Sequence, residues 1–428
     1  MKTPIRLGIA GLGTVGMGVV GLLRQHADLL AARTGREITL SAVCARNRDQ
    51  DRGTPLEPYA WEDDAAALAV RDDIDIYVEL IGGADGIAKA SVEAALNAGK
   101  HVVTANKAML AMHGQSLAER AEAKGCALRF EAAVAGGIPV IKALAEGLAG
   151  NEITRVMGVM NGSCNYILTR MEDAGLSYQE VFAEADALGY LEADPSLDVG
   201  GIDAAHKLAI LSAIAFGSRP DFDGIELEGI EQVSIEDIKA AADMGFKIKL
   251  LGVAQKTERG LEQRMMPCLV PATSPLGQLQ GGTNMVVIEG DAVEQIVLRG
   301  PGAGAGPTAS AVMADICDIA RGTMGPVFGQ PAQTLAQMQP TTSLLHAPYY
   351  LRMSLVDKPG ALAKIATTLG DAGVSIDRMR QYHHPGQAAP VLIVTHKTTR
   401  EALDTAIAAM DSTGVLASAP VAFRIEHL

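Results

Sequence analysis

IRLGIAGLGTVG, residues 5–16, is the stretch that decides the fold. Ile5–Ala10 is a short apolar run of strand character. It leads into Gly11-Leu12-Gly13-Thr14-Val15-Gly16, and helical patterning follows from Val15 to about Gln25. A G-x-G-x-x-G that closes a strand and opens a helix has mechanical meaning. The first glycine permits a tight turn, the second lets a pyrophosphate approach the backbone, and the third lets helix and strand pack closely. The helix N–H groups then face the phosphates. The stretch predicts a dinucleotide-binding α/β domain, with Gly11, Gly13, Thr14, Val15 and Gly16 against the cofactor.

The chain downstream continues the pattern. Ile38–Cys44 reads as the second strand and ends in Ala45-Arg46-Asn47-Arg48. An acidic residue here would hold the ribose 2′-hydroxyl of NAD. None is present, and Arg46 and Arg48 offer donors and charge suited to a 2′-phosphate. NADP(H) is therefore favoured, with NAD(H) still possible and two plain surface arginines the alternative. Strands at Ile74–Ile81, His101–Thr104 and Ala127–Ala132 alternate with helices at Ile87–Ala98 and Ala108–Lys124. Such alternation predicts a parallel sheet with its ligand beyond the carboxyl ends of the strands. Thr104, Asn106 and Lys107 follow such an end, which places Lys107 near the nicotinamide side. The loop Glu131–Pro139 has one acid and many carbonyls. It reads as a packing turn, although oxygen-rich loops of this kind can hold a hard cation.

ALGYLEADPSLDVGGIDAAHKLAI, residues 187–210, concentrates charge beside an apolar segment: Glu192, Asp194, Asp198 and Asp203, then Lys207. Ala204–Phe216 has helical character, with Asp203 at its positive end. Lys207 is four residues on, so both side chains leave the same face. An exposed ion pair on a capped helix would mean little. The alternative is the wall of a polar site, with one ammonium to handle a proton or an oxyanion and carboxylates to hold a cationic substrate group. Around it, Ile153–Met160, Lys247–Gln255, Glu262–Val270, Asn284–Gly290 and Gln295–Arg299 read as strands of a mostly antiparallel sheet. Asn161–Asn165 reads as a polar turn. Gly300–Thr308 is a second glycine-rich loop before a helix at Ala309–Ala320, a setting that brings backbone N–H groups to an anion or cofactor.

Composition bounds the function. With 428 residues, two or three domains are expected. The net charge of −14 carries no basic block, which argues against nucleic acid. No run approaches the length of a membrane span, and no signal-peptide layout opens the chain. Five dispersed cysteines fit a reducing compartment, so a cytoplasmic location is expected.

Gly325–Pro348 reads as a linker. From Tyr349 the rhythm changes to strand, helix, strand, strand, helix, strand, ending near Ile425. That order describes a ferredoxin-like module. His383 and His384 read as turn residues rather than metal ligands.

Several segments together resemble one family. They are GIAGLGTVG, TANKAM, GVMNGSCNYILTRM, LGYLEADPSLDVGGIDAAHK and GPGAGAGPTASAVMADI, with LVDKPGALAKIATTLGDAGVSI in the tail. The chain resembles a homoserine dehydrogenase carrying a C-terminal ACT domain over nearly its whole length. The resemblance implies a Rossmann-like nucleotide-binding domain at 1–150 and an α+β substrate-binding and dimerisation domain at 151–325. It implies an ACT regulatory domain at 349–428. It implies reversible NAD(P)H-dependent reduction of L-aspartate 4-semialdehyde to L-homoserine, in threonine, methionine and isoleucine biosynthesis. Lys207 would be the general acid or base, and Lys107 would neighbour nicotinamide and substrate oxygen. Asp203 and Asp198 would line the substrate site, and Glu192 would take the substrate ammonium. Thr104 and Gly306 would lie near the cofactor. Glu131, Val134, Gly136 and Ile138 match a loop that binds sodium or a similar monovalent cation. The ACT domain implies feedback by an end product, L-threonine by expectation, and a homodimer or homotetramer. Homoserine oxidation should improve at alkaline pH, where a lysine can accept the proton.

Two other readings compete. Sugar or inositol oxidoreductases of similar layout carry a Glu-Lys-Pro run where this chain has Ala105-Asn106-Lys107-Ala108. A non-catalytic sensor with a cofactor fold would have no reason to keep both Lys107 and Lys207.

Overall fold

A computed structural model describes residues 3–191, 194–341, 346–381 and 388–427. The chain opens with β1 (Ile5–Ala10), α1 (Thr14–Gln25), α2 (Ala27–Thr34) and β2 (Ile38–Cys44). There follow β3 (Ala60–Glu62), α3 (Ala65–Ala69), β4 (Ile76–Glu79), α4 (Ile87–Asn97), β5 (His101–Thr104), α5 (Lys107–Ala123) and β6 (Leu128–Arg129). These strands form a six-stranded sheet in the order β3-β2-β1-β4-β5-β6, with every pair parallel. That is the doubly wound arrangement, whose crevice opens where the strand order reverses, between β1 and β4. The glycines make the turn there. A Cβ on Gly16 would stand 2.0 Å from the Gly11 carbonyl oxygen, so only glycine lets α1 start so close to β1.

The expected strand at Ala127–Ala132 is cut to two residues. Glu131–Ala133 turns as a 3₁₀ helix instead, and a short α6 (Val140–Lys142) follows. The reason is the Glu131 carboxylate, which accepts the Ile141 and Lys142 N–H groups at 2.9 Å each and pulls the chain round.

The middle of the chain adds β7 (Ile153–Val159), α7 (Gly162–Ala174), α8 (Tyr178–Ala187), α9 (Pro195–Val199), α10 (Ile202–Phe216), β8 (Glu226–Leu227) and α11 (Ile235–Asp243). It then adds β9 (Phe246–Thr257), β10 (Gly260–Pro271), β11 (Thr283–Gly290), β12 (Glu294–Pro301) and α12 (Ala305–Arg321). The segment 161–165 is not a turn. Asn161 caps α7 by accepting the Cys164 N–H at 2.8 Å, so Gly162–Asn165 are its first helical turn. The last helix begins earlier than expected, inside the glycine-rich loop. It packs back on α1, where Gly18 lies so close that a Cβ would meet the Ala305 carbonyl oxygen at 2.9 Å. One apolar core therefore joins α1 and α12 with the strands of the first sheet.

The tail contributes β13 (Tyr349–Val356), α13 (Ala361–Asp371), β14 (Ile376–Gln381), β15 (Ala388–Thr395), α14 (Arg400–Asp411) and β16 (Leu416–Ile425). Its strands run β16-β13-β15-β14, the ferredoxin-like order. His383 and His384 lie outside the described residues. The module is not a separate bead. Its last strand pairs in parallel with β10, Cys268 opposite Arg424 and Leu269 opposite Ile425, so one sheet runs β12-β11-β7-β9-β10-β16-β13-β15-β14. The expected linker is not slack either. Phe328, Ala332 and Leu335 are buried, and Phe328 packs on Phe130 at 5.4 Å between ring centroids. Phe and Leu inside a Pro- and Gln-rich stretch were the signal that it packs rather than spans.

Candidate active site

The N-cap of α10 is Gly201, in a left-handed turn, so no side chain covers the helix start. Asp203 stands in the first turn and Lys207 one turn on. Neither is exposed: they retain 7% and 8% of their surface. The surface ion pair considered from sequence is therefore a buried one. Lys207 Nζ donates to Asp203 Oδ2 at 2.7 Å and to the Met160 carbonyl oxygen at 2.7 Å. Lys107 opens α5 beyond the end of β5, and its Nζ lies 2.8 Å from Asp203 Oδ1. Two ammonium groups from helices of different domains thus meet on one carboxylate. Burial opposes the charge on Asp203, but Lys207 and Lys107 outweigh it and hold its carboxyl well below the usual range. Burial likewise lowers the pKa of neighbouring His206.

Asp198 ends deep in the same wall, 3% exposed. The Asn161 side-chain amide donates to Asp198 Oδ1 at 2.8 Å and to Asp203 Oδ2 at 3.3 Å. One amide thereby fixes the spacing of two carboxylates. Asn284 on β11 donates to the same Met160 carbonyl at 3.1 Å. Sequence reasoning missed both asparagines. Asn161 is a residue that favours turns and helix caps alike, and here it caps α7. Asn284 sits in a strand far along the chain and carried none. Glu192, the fourth expected member of the substrate wall, lies outside the described residues.

These groups line a cavity of about 510 Å³ together with Val15, Ser163, Tyr190, Gly282 and Thr308. Its far rim is made by two loops in mutual contact. A Cβ on Gly136 would come 2.7 Å from the Gly302 carbonyl oxygen, and one on Gly302 would come 2.1 Å from the Asn284 amide nitrogen. This is why residues 300–304 are glycine-dense. Of the expected cofactor residues, Gly306 lines neither this cavity nor the neighbouring crevice, but it opens α12 beside Ala303, which does line the cavity. Thr104 is fully buried, and its hydroxyl donates to Glu79 at 2.5 Å and accepts the Asn106 N–H at 2.9 Å. It shapes the loop that carries Lys107.

The adjoining crevice, about 590 Å³, holds Gly11, Gly13, Arg46, Gln50, Arg52, Asp63 and Asp64. A dinucleotide fits it: nothing lies within 4 Å of the position a Cβ on Gly13 would take, and α1 starts without a side-chain cap or an acid in its first turn. Arg46 faces the crevice. Arg48 is not among the lining residues, and its guanidinium sits 5.8 Å from the Trp61 ring centre. Arg52, which the sequence reading passed over, lines the crevice and donates to the Leu12 carbonyl at 3.3 Å.

In the loop 131–138, Ala135 and Gly136 take left-handed φ of +55° and +40°, which turns successive carbonyls. Among the described residues, the Val134 and Gly136 carbonyls accept no backbone hydrogen bond, while those of Glu131 and Ile138 accept the Val134 and Val140 N–H groups. Burial, with Asp315 close by, raises the Glu131 carboxyl to about 7. Among the described residues, no three His, Cys, Asp or Glu side chains converge as a metal cluster, so a cation here would meet carbonyl oxygens.

Three sequence-family models match the chain: "Homoserine dehydrogenase" over residues 139–317, "Homoserine dehydrogenase, NAD binding domain" over 11–131, and "ACT domain" over 349–414. The homoserine dehydrogenase of Neisseria gonorrhoeae is 42% identical, with 99% of each chain covered. The crystal structure of a homoserine dehydrogenase from Thiobacillus denitrificans superposes with a TM-score of 0.93 at 40% identity, covering 99% of this chain and 98% of that one. A hyperthermophilic archaeal homoserine dehydrogenase solved in complex with NADPH superposes at a TM-score of 0.64 and 27% identity, covering 74% of this chain and 97% of that one.

Proposed function

The chain belongs to the homoserine dehydrogenase family of NAD(P)-dependent oxidoreductases, and from that premise we propose that its Lys107–Asp203–Lys207 cluster interconverts L-aspartate 4-semialdehyde and L-homoserine. The observation that carries this reading is the convergence of two ammonium groups on one buried carboxylate at a cavity wall. The nicotinamide, when bound, supplies the hydride in reduction and accepts it in oxidation. In reduction the carbonyl oxygen gains negative charge. Lys207 donates a proton to it and takes one back in the reverse direction. Lys107 steadies the same oxygen as a second positive charge. Asp203, itself buried, keeps both ammoniums aimed. Asp198, fixed by Asn161, and Glu192 take the substrate's α-ammonium.

Gly11, Gly13, Thr14, Val15 and Gly16 hold the pyrophosphate, with Thr104, Lys107 and Gly306 towards the nicotinamide end. Arg46, aided by Arg52, favours the 2′-phosphate of NADP(H) over NAD(H). Arg48 shares the Trp61 ring with Arg52 but does not line the crevice. A sodium-like cation takes the carbonyls of Val134 and Gly136, with Glu131 and Ile138 completing the loop. The C-terminal module is an amino-acid sensor for L-threonine, and the enzyme works in the cytoplasm as a homodimer or homotetramer. No helix among the described residues is long and apolar enough to cross a membrane.

The test is loss of NADPH absorbance with aspartate 4-semialdehyde, by the full-length chain and by Lys207→Ala, with and without L-threonine. Wild-type rates that the substitution leaves intact would remove Lys207 from its role. The module should be tested in place. Cutting after Pro348 strips β16 from β10, so a truncated chain would report damage as well as deregulation.

A further inference from the structure

Residues 424–426 bridge the C-terminal module and β10 of the middle domain. Glu426 is 5% exposed. Its N–H donates to the Leu269 carbonyl on β10 at 2.8 Å. Its carboxylate pairs with Arg264 of β10, with Arg155 of β7 and, at 2.7 Å, with Arg424. Arg264 is 1% exposed and also pairs with Glu262. The backbone of Arg264 and Met265 pairs in parallel with Glu226 and Leu227 of β8. The strap then continues to the active site. Glu228 N–H donates to the Met265 carbonyl and Ile230 N–H to the Val199 carbonyl, both at 2.9 Å. Val199 ends α9, directly after Asp198. The strap presses on that helix at Gly229, where a Cβ would stand 2.6 Å from the Val199 carbonyl oxygen.

We propose that Glu426 is a positioning residue for Asp198, acting through Arg264 and the strap 226–230. The inference rests on the reading of Asp198 as a substrate-site residue. Without the Glu426 charge the buried Arg264 keeps its pair with Glu262, which Arg424 also approaches, and the excess positive charge draws Arg264 towards that carboxylate. Arg264 sits on the strand that carries the strap, so its shift moves the strap and with it α9. The final strand of the regulatory module is on this account part of the substrate site's framework. Dinucleotide binding, on the other sheet, is not on this route.

The experiment uses the full-length chain, with homoserine and NADP⁺ as probes. Glu426→Gln is expected to raise KM for homoserine roughly 3- to 10-fold. Its kcat and NADPH dissociation constant should stay within about 2-fold of wild type, the pattern of substrate binding lost equally from ground state and transition state. Glu426→Asp should restore part of the KM. Gly229→Ala should raise KM by itself, and the double variant Glu426→Gln/Gly229→Ala should be no worse than Gly229→Ala, because both act on one route. An unchanged KM in a folded Glu426→Gln chain, a parallel loss of NADPH affinity, or multiplying effects in the double variant would overturn the inference. If Glu426→Gln does not fold, Glu426→Asp decides by the same readings. A wild-type chain that does not oxidise homoserine fails the functional reading and takes this inference with it. An active wild type with unaffected variants fails this inference alone.

Discussion

Lys107 and Lys207 each hold a different oxygen of Asp203, at 2.8 and 2.7 Å, although 100 positions separate them in the chain. The arrangement keeps two like charges close without leaving either uncompensated. Lys207 also donates to the Met160 carbonyl, so its Nζ is held from two sides. Replacing it by alanine is expected to lower kcat by about 10²–10⁴-fold, the range for a lost general acid. NADPH affinity, measured by fluorescence titration, should change little because the dinucleotide crevice does not include Lys207.

Asp203 also fixes an acid limit. Its folded pKa lies below the ordinary 3.8 because the two lysines outweigh the burial. A carboxyl depressed in this way contributes stability above its unfolded pKa, and that contribution is lost as pH falls towards the folded value. Wild type should therefore lose stability progressively below pH ~4. Asp203→Asn should start less stable, since two ammoniums lose their shared counter-ion, and should show a shallower acid loss. Denaturant melts across the acid range check both.

Two glycines of the first loop should behave differently. A Cβ on Gly13 meets nothing within 4 Å, whereas one on Gly16 would lie 2.0 Å from the Gly11 carbonyl. Gly13→Ala is expected to melt like wild type yet bind NADPH at least ~10-fold more weakly, because a methyl occupies the pyrophosphate's approach. Gly16→Ala should lose stability first. Equal NADPH affinity in Gly13→Ala would move the pyrophosphate elsewhere.

Cofactor choice should follow Arg46 and not Arg48. Arg46→Ala is expected to reduce the NADPH-to-NADH ratio of kcat/KM by about 10-fold or more, the worth of a charge-assisted hydrogen bond. Arg48→Ala should leave the ratio within ~2-fold, since Arg48 does not line the crevice. Steady-state rates with both cofactors decide.

Local pattern carried far in this chain. The strand–glycine–helix junction at 5–16 marked a parallel nucleotide-binding sheet, and the capping boxes at Ser177–Glu180 and Ser234–Asp237 form between residues three apart. The i, i+4 spacing put Asp203 and Lys207 on one face. These are short-range properties: turn sterics, helix phase and cap chemistry depend on neighbours a few residues away. Where a long-range partner set the outcome, local reading failed. Glu131 turned the end of an expected strand by capping a helix ten residues on, and Phe328 anchored an expected linker by packing on Phe130.

By itself, then, the sequence determined the three kinds of unit, the glycine loop, and which charged residues could form a wall. Only the tertiary structure decided that Lys107 reaches Asp203, that Asn161 and Asn284 brace the wall, and that the C-terminal strand extends the catalytic sheet. The physical reason is burial. Asp203 and Lys207 meet Lys107 this tightly only once packing has buried the first two at the cavity wall, and which groups packing brings together depends on how separate domains meet, which no local periodicity encodes.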